Sequence, residues 1–237
     1  MRYPEPWQDD GKRDIIHVVG KTGTGKSTFI REYLLNLPRM IIVDPKEEYA
    51  GPIAESPDEM IDYIETHRHF MVRTCDMDSL PIICDIAKAA GNVLLVFEEA
   101  ESVVPQSAVK LPEELRDLIF RGRKWSVSML FSSQRPAKIH IDARSQWTRL
   151  IVFNGTETAD IDWIESVAGF KLRGTEYDPL RLKVPGEYLD IIPGRIEKKM
   201  THLLPLMTLH RKARREENYC ANETSIDNVI RLLRCGP

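Results

Sequence analysis

The stretch VVGKTGTGKST, residues 18–28, constrains this chain more than any other part of it. It contains the phosphate-loop pattern G-x-x-x-x-G-K-[ST] from Gly20 to Ser27, directly after an apolar run and directly before a helical segment. Such a pattern joins a strand, a tight glycine turn and the first turn of a helix, whose free N–H groups face bound phosphates. The sequence therefore predicts an α/β fold that binds a nucleotide.

The residue types in this loop indicate how the nucleotide is held. Glycines permit the tight turn and let backbone N–H groups approach the phosphates without obstruction by side chains. Lys26 is placed to reach the β- and γ-phosphates, and the Ser27 hydroxyl is placed to ligate Mg²⁺. We therefore expect ATP and Mg²⁺ as cofactors. The predicted nucleotide-binding residues are Gly20, Lys21, Thr22, Gly23, Thr24, Gly25, Lys26, Ser27 and Thr28.

The rest of the chain alternates short apolar runs with amphipathic segments, which predicts a mostly parallel sheet covered by helices on both faces. The pattern changes at Pro185, where GEYLDIIPGRIEKKM predicts an edge hairpin that turns at Pro193-Gly194. We expect an irregular N-terminal arm over residues 1–14, one α/β domain over 15–208 and a helical tail over 209–237.

Composition limits the classes of protein that the chain can belong to. Its 237 residues suit one large domain, and a net charge of -3 gives no overall nucleic-acid signature, so any DNA contact must be local. The four cysteines form no C-x-x-C pair, which favours reduced thiols inside a cell. No signal peptide or transmembrane segment is evident. We expect a cytoplasmic protein.

A pair of acids follows the most apolar strand of the sequence, LLVFEEAE. Glu98 is the candidate for the Mg²⁺ shell and Glu99 for the general base that activates water. The alternative is that both acids only face solvent. Small-molecule kinases often lack the second acid, so the pair favours hydrolysis. Glu101 is expected to be a solvated helix or loop residue.

Two further signals lie in GRKWSVSMLFSSQRP. Gln134 ends a strand and is a candidate sensor of the γ-phosphate. Arg121 and Arg123 close the preceding helix and are candidates for a finger that enters a neighbouring subunit's site, so that the predicted catalytic residues are Glu99, Gln134, Arg123 and Arg121. The alternative is that these cations only complement the helix dipole. We expect GRKW, Glu98–Glu99 and SSQRP at adjacent strand ends.

Together, GKTGTGKST, VDPKEEY, LLVFEEAE, GRKWSVSMLFSSQRP and GEYL resemble the FtsK-HerA superfamily of DNA-pumping ATPases, over roughly residues 14–200. The resemblance implies a RecA-like (ASCE) P-loop NTPase domain in which the sensor strand lies between the phosphate-loop strand and the acid-bearing strand. It also implies the roles given above for Lys26, Ser27, Glu98, Glu99 and Gln134, and a trans role for Arg123. One departure is Glu98, where the family usually has Asp.

The resemblance further implies a homo-oligomeric ring, usually a hexamer, that threads double-stranded DNA. Because only about 14 residues precede the first strand, the chain is most similar to the genome-packaging ATPases of double-stranded DNA viruses. ATP hydrolysis would then drive DNA translocation, with a capsid or membrane vertex protein as a further partner, in the host cytoplasm or on the virion. The alternatives are a cellular HerA-like or conjugation-type translocase and, from another class, a non-motor nucleotide switch or kinase.

Candidate DNA contacts are basic side chains in loops and in the tail, where each is alternatively a solvated surface residue. The candidate DNA contacts are Lys110, Lys138, His140, Arg144, Arg211, Lys212, Arg214 and Arg215.

Trp125 and Trp147 are expected in the core or at a subunit interface.

Overall fold

The computed structural model describes residues 13–35, 37–155 and 157–201. Within them the strands form one sheet. They are β1 Ile15–Val19, β2 Arg39–Val43, β3 Phe70–Thr74, β4 Val93–Phe97, β5 Val127–Ser133, β6 Arg149–Phe153, β7 Glu187–Ile192 and β8 Arg195–Met200. The order across the sheet is β3-β2-β4-β5-β1-β6-β7-β8.

The six strands from β3 to β6 in this order run parallel, as the alternation of apolar runs and helical segments predicts. Every residue of β1, β4 and β5 is buried, because helices cover both faces of a parallel sheet. Strand β5, which precedes Gln134, lies between the phosphate-loop strand β1 and the acid-bearing strand β4, which confirms the expected strand order. The carboxyl ends of these three strands therefore meet at one edge.

Seven α-helices connect the strands within the described part of the chain. They are α1 Lys26–Leu34, α2 Pro57–Thr66, α3 Leu80–Ala90, α4 Ala100–Val103, α5 Glu113–Arg121, α6 Ile141–Ser145 and α7 Thr158–Ala168. Helix α1 packs on one face of the sheet through Phe29 and Ile30, while α2, α3, α5 and α7 contribute to the clusters on the other face. None of the helices in these ranges has the length and apolar character that a membrane crossing requires.

The C-terminal hairpin forms as predicted. Strands β7 and β8 pair antiparallel, and β7 also pairs antiparallel with β6. Gly194 turns the chain with a φ of 82°, a conformation that glycine adopts without steric cost. Arg149 on β6 binds the Asp190 carboxylate of β7 through two hydrogen bonds of 2.8 Å. These contacts hold the hairpin to the parallel sheet.

Two sequence expectations needed correction at helix ends. The sequence predicts a helix over residues 27–37 that Pro38 ends, but α1 ends earlier, at Leu34. The helix expected through GRKW ends at Arg121, and a 3₁₀ turn, Gly122–Trp125, continues to β5.

Trp125 and Trp147 both pack against the core. The tail at 209–237 and most of the arm lie outside the described residues.

His17, in the middle of β1, makes the stability of the fold depend on pH. Its ring is fully buried, stacks on Phe131 at 5.0 Å and lies 3.2 Å from the Ala143 carbonyl oxygen. Burial lowers the pKa of His17 from 6.5 to about 4. A depressed pKa means that the stability is full above pH 6.5 and is lost as the pH falls towards 4, by roughly 3 kcal/mol.

We expect His17→Gln, which keeps a polar side chain but cannot gain a proton, to lose less stability than the wild type between pH 6.5 and 4. Denaturant unfolding at several pH values measures the difference, and the NMR titration of His17 gives its pKa directly. A titration midpoint near 6.5 would contradict this prediction.

Candidate nucleotide-binding site

The phosphate loop, residues 20–27, is built around close backbone contacts that only glycine permits at its start. Gly20 has a φ of 153°, and a Cβ there would lie 2.5 Å from the Phe153 Cβ. The Gly20 N–H donates to the Ser133 carbonyl at 3.2 Å, and the Lys21 N–H donates to the Asn154 carbonyl at 3.1 Å. The loop is therefore held to the ends of β5 and β6 on either side of β1.

A cavity of about 430 Å³ opens over this loop. Six of the nine predicted nucleotide-binding residues line it, while Gly20, Lys21 and Thr24 form the base of the turn. Glu98, Glu99 and Gln134 line the same cavity. The complete lining is Thr22, Gly23, Gly25, Lys26, Ser27, Thr28, Arg31, Glu48, Glu98, Glu99, Ser132, Ser133, Gln134 and Pro185.

Lys26 is buried at the start of α1, where only 8% of it is exposed. Its Nζ donates to the Lys21 carbonyl oxygen at 3.3 Å. Burial lowers the pKa of Lys26, and the negative charge of Glu98 is the largest effect that opposes this. A polyphosphate in the cavity would bring anionic oxygens to an ammonium group that has lost most of its water, which strengthens their attraction.

Glu98 is buried at the end of β4, with 3% of it exposed. Its Oε1 accepts from the Ser132 hydroxyl and its Oε2 from the Tyr49 hydroxyl, each at 2.9 Å. Burial raises the pKa of Glu98 to about 7, although both hydroxyl hydrogen bonds act in the opposite direction. Both oxygens of the predicted metal-shell acid are thus engaged with protein groups.

Glu99 has left-handed backbone, with a φ of 49°, which is uncommon for a residue with a side chain. This conformation turns the chain sharply between β4 and α4, and the Glu99 carboxylate lines the cavity. Its Oε1 pairs with the Lys46 ammonium group. The candidate base is therefore positioned at the cavity and held by a lysine from another strand end.

Gln134 follows β5 and contacts the phosphate loop directly. The Thr22 hydroxyl donates to its Oε1 at 3.0 Å, and its N–H donates to the Glu101 Oε1 at 3.1 Å. The Glu101 Oε2 is buried and has no hydrogen-bond partner among the described residues. Glu101 lies in helix α4, in line with the expected helix or loop position, but it is half-buried and its carboxylate binds the residue that follows β5 instead of only facing solvent.

Arg121 and Arg123 lie at the opposite edge of the sheet from the cavity. They precede β5, whereas Gln134 follows it, and the seven residues of that strand separate the two ends by about 20 Å. The expectation that GRKW shares an edge with Glu98–Glu99 was therefore wrong. Both arginines are exposed, and Arg121 pairs with Asp117 at 3.6 Å. Neither arginine can reach the cavity of its own subunit, so the trans role stays a prediction.

Sequence reasoning assigned no role to the turn that follows β2, residues 44–49. Three of its side chains contact the predicted machinery: Lys46 pairs with Glu99, Glu48 accepts from the Ser27 hydroxyl at 3.0 Å, and Tyr49 donates to Glu98. The motif VDPKEEY was noted only as part of the resemblance. The adjacency of β2 and β4 brings this turn to the cavity.

Comparison with solved structures places this architecture among known proteins. The genome packaging NTPase B204 from Sulfolobus turreted icosahedral virus 2, solved with AMPPCP, superposes with a TM-score of 0.64 at 20% identity, over 78% of this chain and 96% of that one. VirB4 of Thermoanaerobacter pseudethanolicus superposes with a TM-score of 0.59 at 14% identity, over 84% and 93%. At these identities the superpositions show that the chain shares the fold of these proteins. The resemblance noted in the sequence is thus confirmed for the fold.

Other comparisons add little to this result. The pCW3 conjugation coupling protein TcpA superposes with a TM-score of 0.58 at 14% identity, over 85% of this chain and 66% of that one. No family model matches the sequence. The ribosome biogenesis protein BMS1 of Saccharomyces cerevisiae is 34% identical over 97 residues, which are 41% of this chain and 7% of that protein. Because that match spans so little of BMS1, we argue function from the site.

Proposed function

We propose that this chain is an ATPase that translocates double-stranded DNA, as a motor that packages a viral genome. The observation that carries the proposal is the convergence of the phosphate loop, Glu99 and Gln134 on one cavity. Small-molecule kinases often lack the second acid, so a base opposite the phosphate loop favours hydrolysis. The superposition with B204 over almost the whole of that chain supports the packaging role.

The site provides a group for each requirement of ATP hydrolysis. The phosphate loop and Lys26 bind the triphosphate, and Ser27 with the neighbouring carboxylates offers the oxygen ligands that Mg²⁺ prefers. Mg²⁺, when bound with the nucleotide, would neutralise charge on the phosphates. Glu99 accepts the proton of the attacking water, which requires its release from Lys46. Gln134 orients the γ-phosphate of the bound triphosphate, because its side chain contacts Thr22 of the phosphate loop.

Two loops link this site to candidate DNA contacts. Pro105 bridges to Ile139, the Gln106 N–H donates to the Lys138 carbonyl at 2.7 Å, and the His140 N–H donates to the Val104 carbonyl at 2.8 Å. One loop continues from α4 beside Glu99, and the other continues from Gln134. Movement at either catalytic residue would therefore shift both loops together.

Lys110 and Lys138 are the exposed cations of these loops. His140 and Arg144 fit a DNA contact less well: the His140 side chain is buried and caps α6, and the half-buried Arg144 lies over the Trp163 ring at 6.0 Å. The four basic residues proposed in the tail lie outside the described residues. We therefore assign the DNA contact to Lys110 and Lys138.

The ATPase rate with and without double-stranded DNA tests this function. We expect DNA to stimulate the wild type, and Lys110→Glu with Lys138→Glu to abolish the stimulation while leaving the basal rate unchanged. Two lost phosphate contacts should also reduce the log-log salt slope of DNA binding by about two for each subunit that contacts the DNA. Lys171→Glu, at another exposed lysine, is the matched control. A wild-type rate indifferent to DNA would contradict the translocase proposal.

A conjugation-type translocase is the second candidate, because VirB4 and TcpA share the fold. Both candidates would act as homo-oligomeric rings, and a hexamer is expected in the presence of nucleotide. They differ in their partner, which would be a capsid or membrane vertex protein for a packaging motor in the host cytoplasm or virion. Neighbouring genes that encode capsid proteins would favour packaging, whereas pilus or nuclease genes would favour the alternative.

A further inference from the structure

The turn at residues 44–49 is held rigidly beside the phosphate loop. The buried Asp44 carboxylate accepts the N–H groups of Glu48 at 2.9 Å and Tyr49 at 3.0 Å. Arg73, itself 6% exposed, pairs with Asp44 at 3.1 Å and also donates to the Gly51 carbonyl. These buried hydrogen bonds determine where the side chains of the turn can lie.

Glu48 is the member of this turn that lies against the predicted metal ligand. The Ser27 hydroxyl donates to its Oε2 at 3.0 Å, and Arg31 of α1 donates to its backbone carbonyl at 2.5 Å. The Glu48 main chain is thereby anchored at its N–H by Asp44 and at its carbonyl by Arg31. Its carboxylate lines the nucleotide cavity and is exposed to it.

The separation of the two oxygens suits a shared magnesium ion. Mg²⁺ demands nearly octahedral geometry with ligand distances of 2.0–2.1 Å, so two adjacent ligands lie about 3.0 Å apart. The Ser27 Oγ and the Glu48 Oε2 are separated by 3.0 Å. If the Ser27 O–H rotated away, an ion could therefore bind between these two oxygens with little movement of either side chain.

Glu98 is less suited to direct coordination. Its two carboxylate oxygens already accept hydroxyl hydrogens from Ser132 and Tyr49, within a pocket where the acid is 3% exposed. Each oxygen keeps a second lone pair, but burial of the side chain leaves that lone pair little access to an ion in the cavity. An acid in this position acts more readily through a metal-bound water.

We propose that Glu48 is the carboxylate that coordinates Mg²⁺ beside Ser27, and that Glu98 acts from the outer shell. The proposal rests on the proposed function only in that a magnesium nucleotide occupies the cavity. The proposal adds the turn after β2, through Glu48, to the elements that form the nucleotide site.

The test measures metal binding directly. Mn²⁺ replaces Mg²⁺ as a paramagnetic probe, and its affinity for the complex with AMPPCP is measured by electron paramagnetic resonance. We expect Glu48→Gln to weaken Mn²⁺ binding at least tenfold, because a charged oxygen ligand is lost. Ser27→Ala, which removes the neutral hydroxyl ligand, should also weaken Mn²⁺ binding at least tenfold. Glu47→Gln is the matched control: it removes the same charge one residue earlier, where the side chain does not line the cavity.

AMPPCP affinity in EDTA shows whether the variant has kept its fold. Without metal, Glu48→Gln should bind the nucleotide as well as the wild type or better, because one negative charge beside the phosphates is gone. Unchanged Mn²⁺ affinity in Glu48→Gln, with a loss in Ser27→Ala, would overturn the proposal. Equal losses in Glu48→Gln and Glu47→Gln would overturn it too, since they would indicate a general charge effect.

The two proposals fail in different ways. A wild type that binds Mn²⁺ and AMPPCP through Glu48 but is not stimulated by DNA would contradict the translocase and support the metal ligand. A DNA-stimulated ATPase whose Mn²⁺ affinity is unchanged by Glu48→Gln would support the translocase and contradict the metal ligand.

Discussion

Glu99→Gln is expected to lower the rate of ATP hydrolysis by about 10²–10⁴-fold while nucleotide binding persists. The substitution keeps the size and polarity of the side chain but removes the group that accepts a proton from water. Glu99 lines the cavity without belonging to the phosphate loop, so the contacts of that loop with the nucleotide remain. Phosphate release measured together with the affinity for a fluorescent ATP analogue tests both parts of this expectation.

Glu113→Gln, at an exposed acid in the first turn of α5, serves as the control and should hydrolyse ATP at the wild-type rate. If Glu99→Gln kept its phosphate release, Glu99 would not be the base. The site would then fit a non-motor nucleotide switch or a kinase better than a motor.

Arg123→Ala is expected to lower the hydrolysis rate by about 10³–10⁵-fold and to leave nucleotide binding nearly unchanged. Arg123 is exposed about one strand length from the cavity of its own chain, so the predicted role in hydrolysis requires the cavity of a neighbouring subunit. The fold should tolerate its loss. Arg13 is held by the Ile119 and Val127 carbonyls. Burial and, to a smaller extent, the like charge of Arg123 lower the pKa of Arg13, so removing Arg123 relieves a repulsion.

Mixed oligomers test the trans role most directly. Lys26→Ala subunits should bind no triphosphate but still present Arg123, whereas Arg123→Ala subunits keep an intact phosphate loop. Each variant alone should be inactive, and the mixture should regain a measurable fraction of the activity. Lys124→Ala, at the adjacent exposed cation, is the control and should remain active by itself. A mixture without activity, or loss of nucleotide binding in Arg123→Ala, would count against the finger.

Much of the fold could be predicted because its signals are local. Each parallel strand is a short apolar run, and the turn at Pro193-Gly194 marks the hairpin. Helix ends were less predictable: α1 stops at Leu34, before the residues that its amphipathic pattern includes. The position of GRKW was misjudged although chain order fixes it: GRKW precedes β5 and Gln134 follows it, so they lie at opposite ends of one strand.

The sequence by itself determined the phosphate loop, because the residues that form it are contiguous in the chain. It also identified Glu99 and Gln134, since each ends an apolar strand. Only the tertiary structure decided the surroundings of these residues. Lys46, Glu48 and Tyr49 reach Glu99, Ser27 and Glu98 because β2 pairs with β4, and strand pairing depends on long-range packing that no local pattern records.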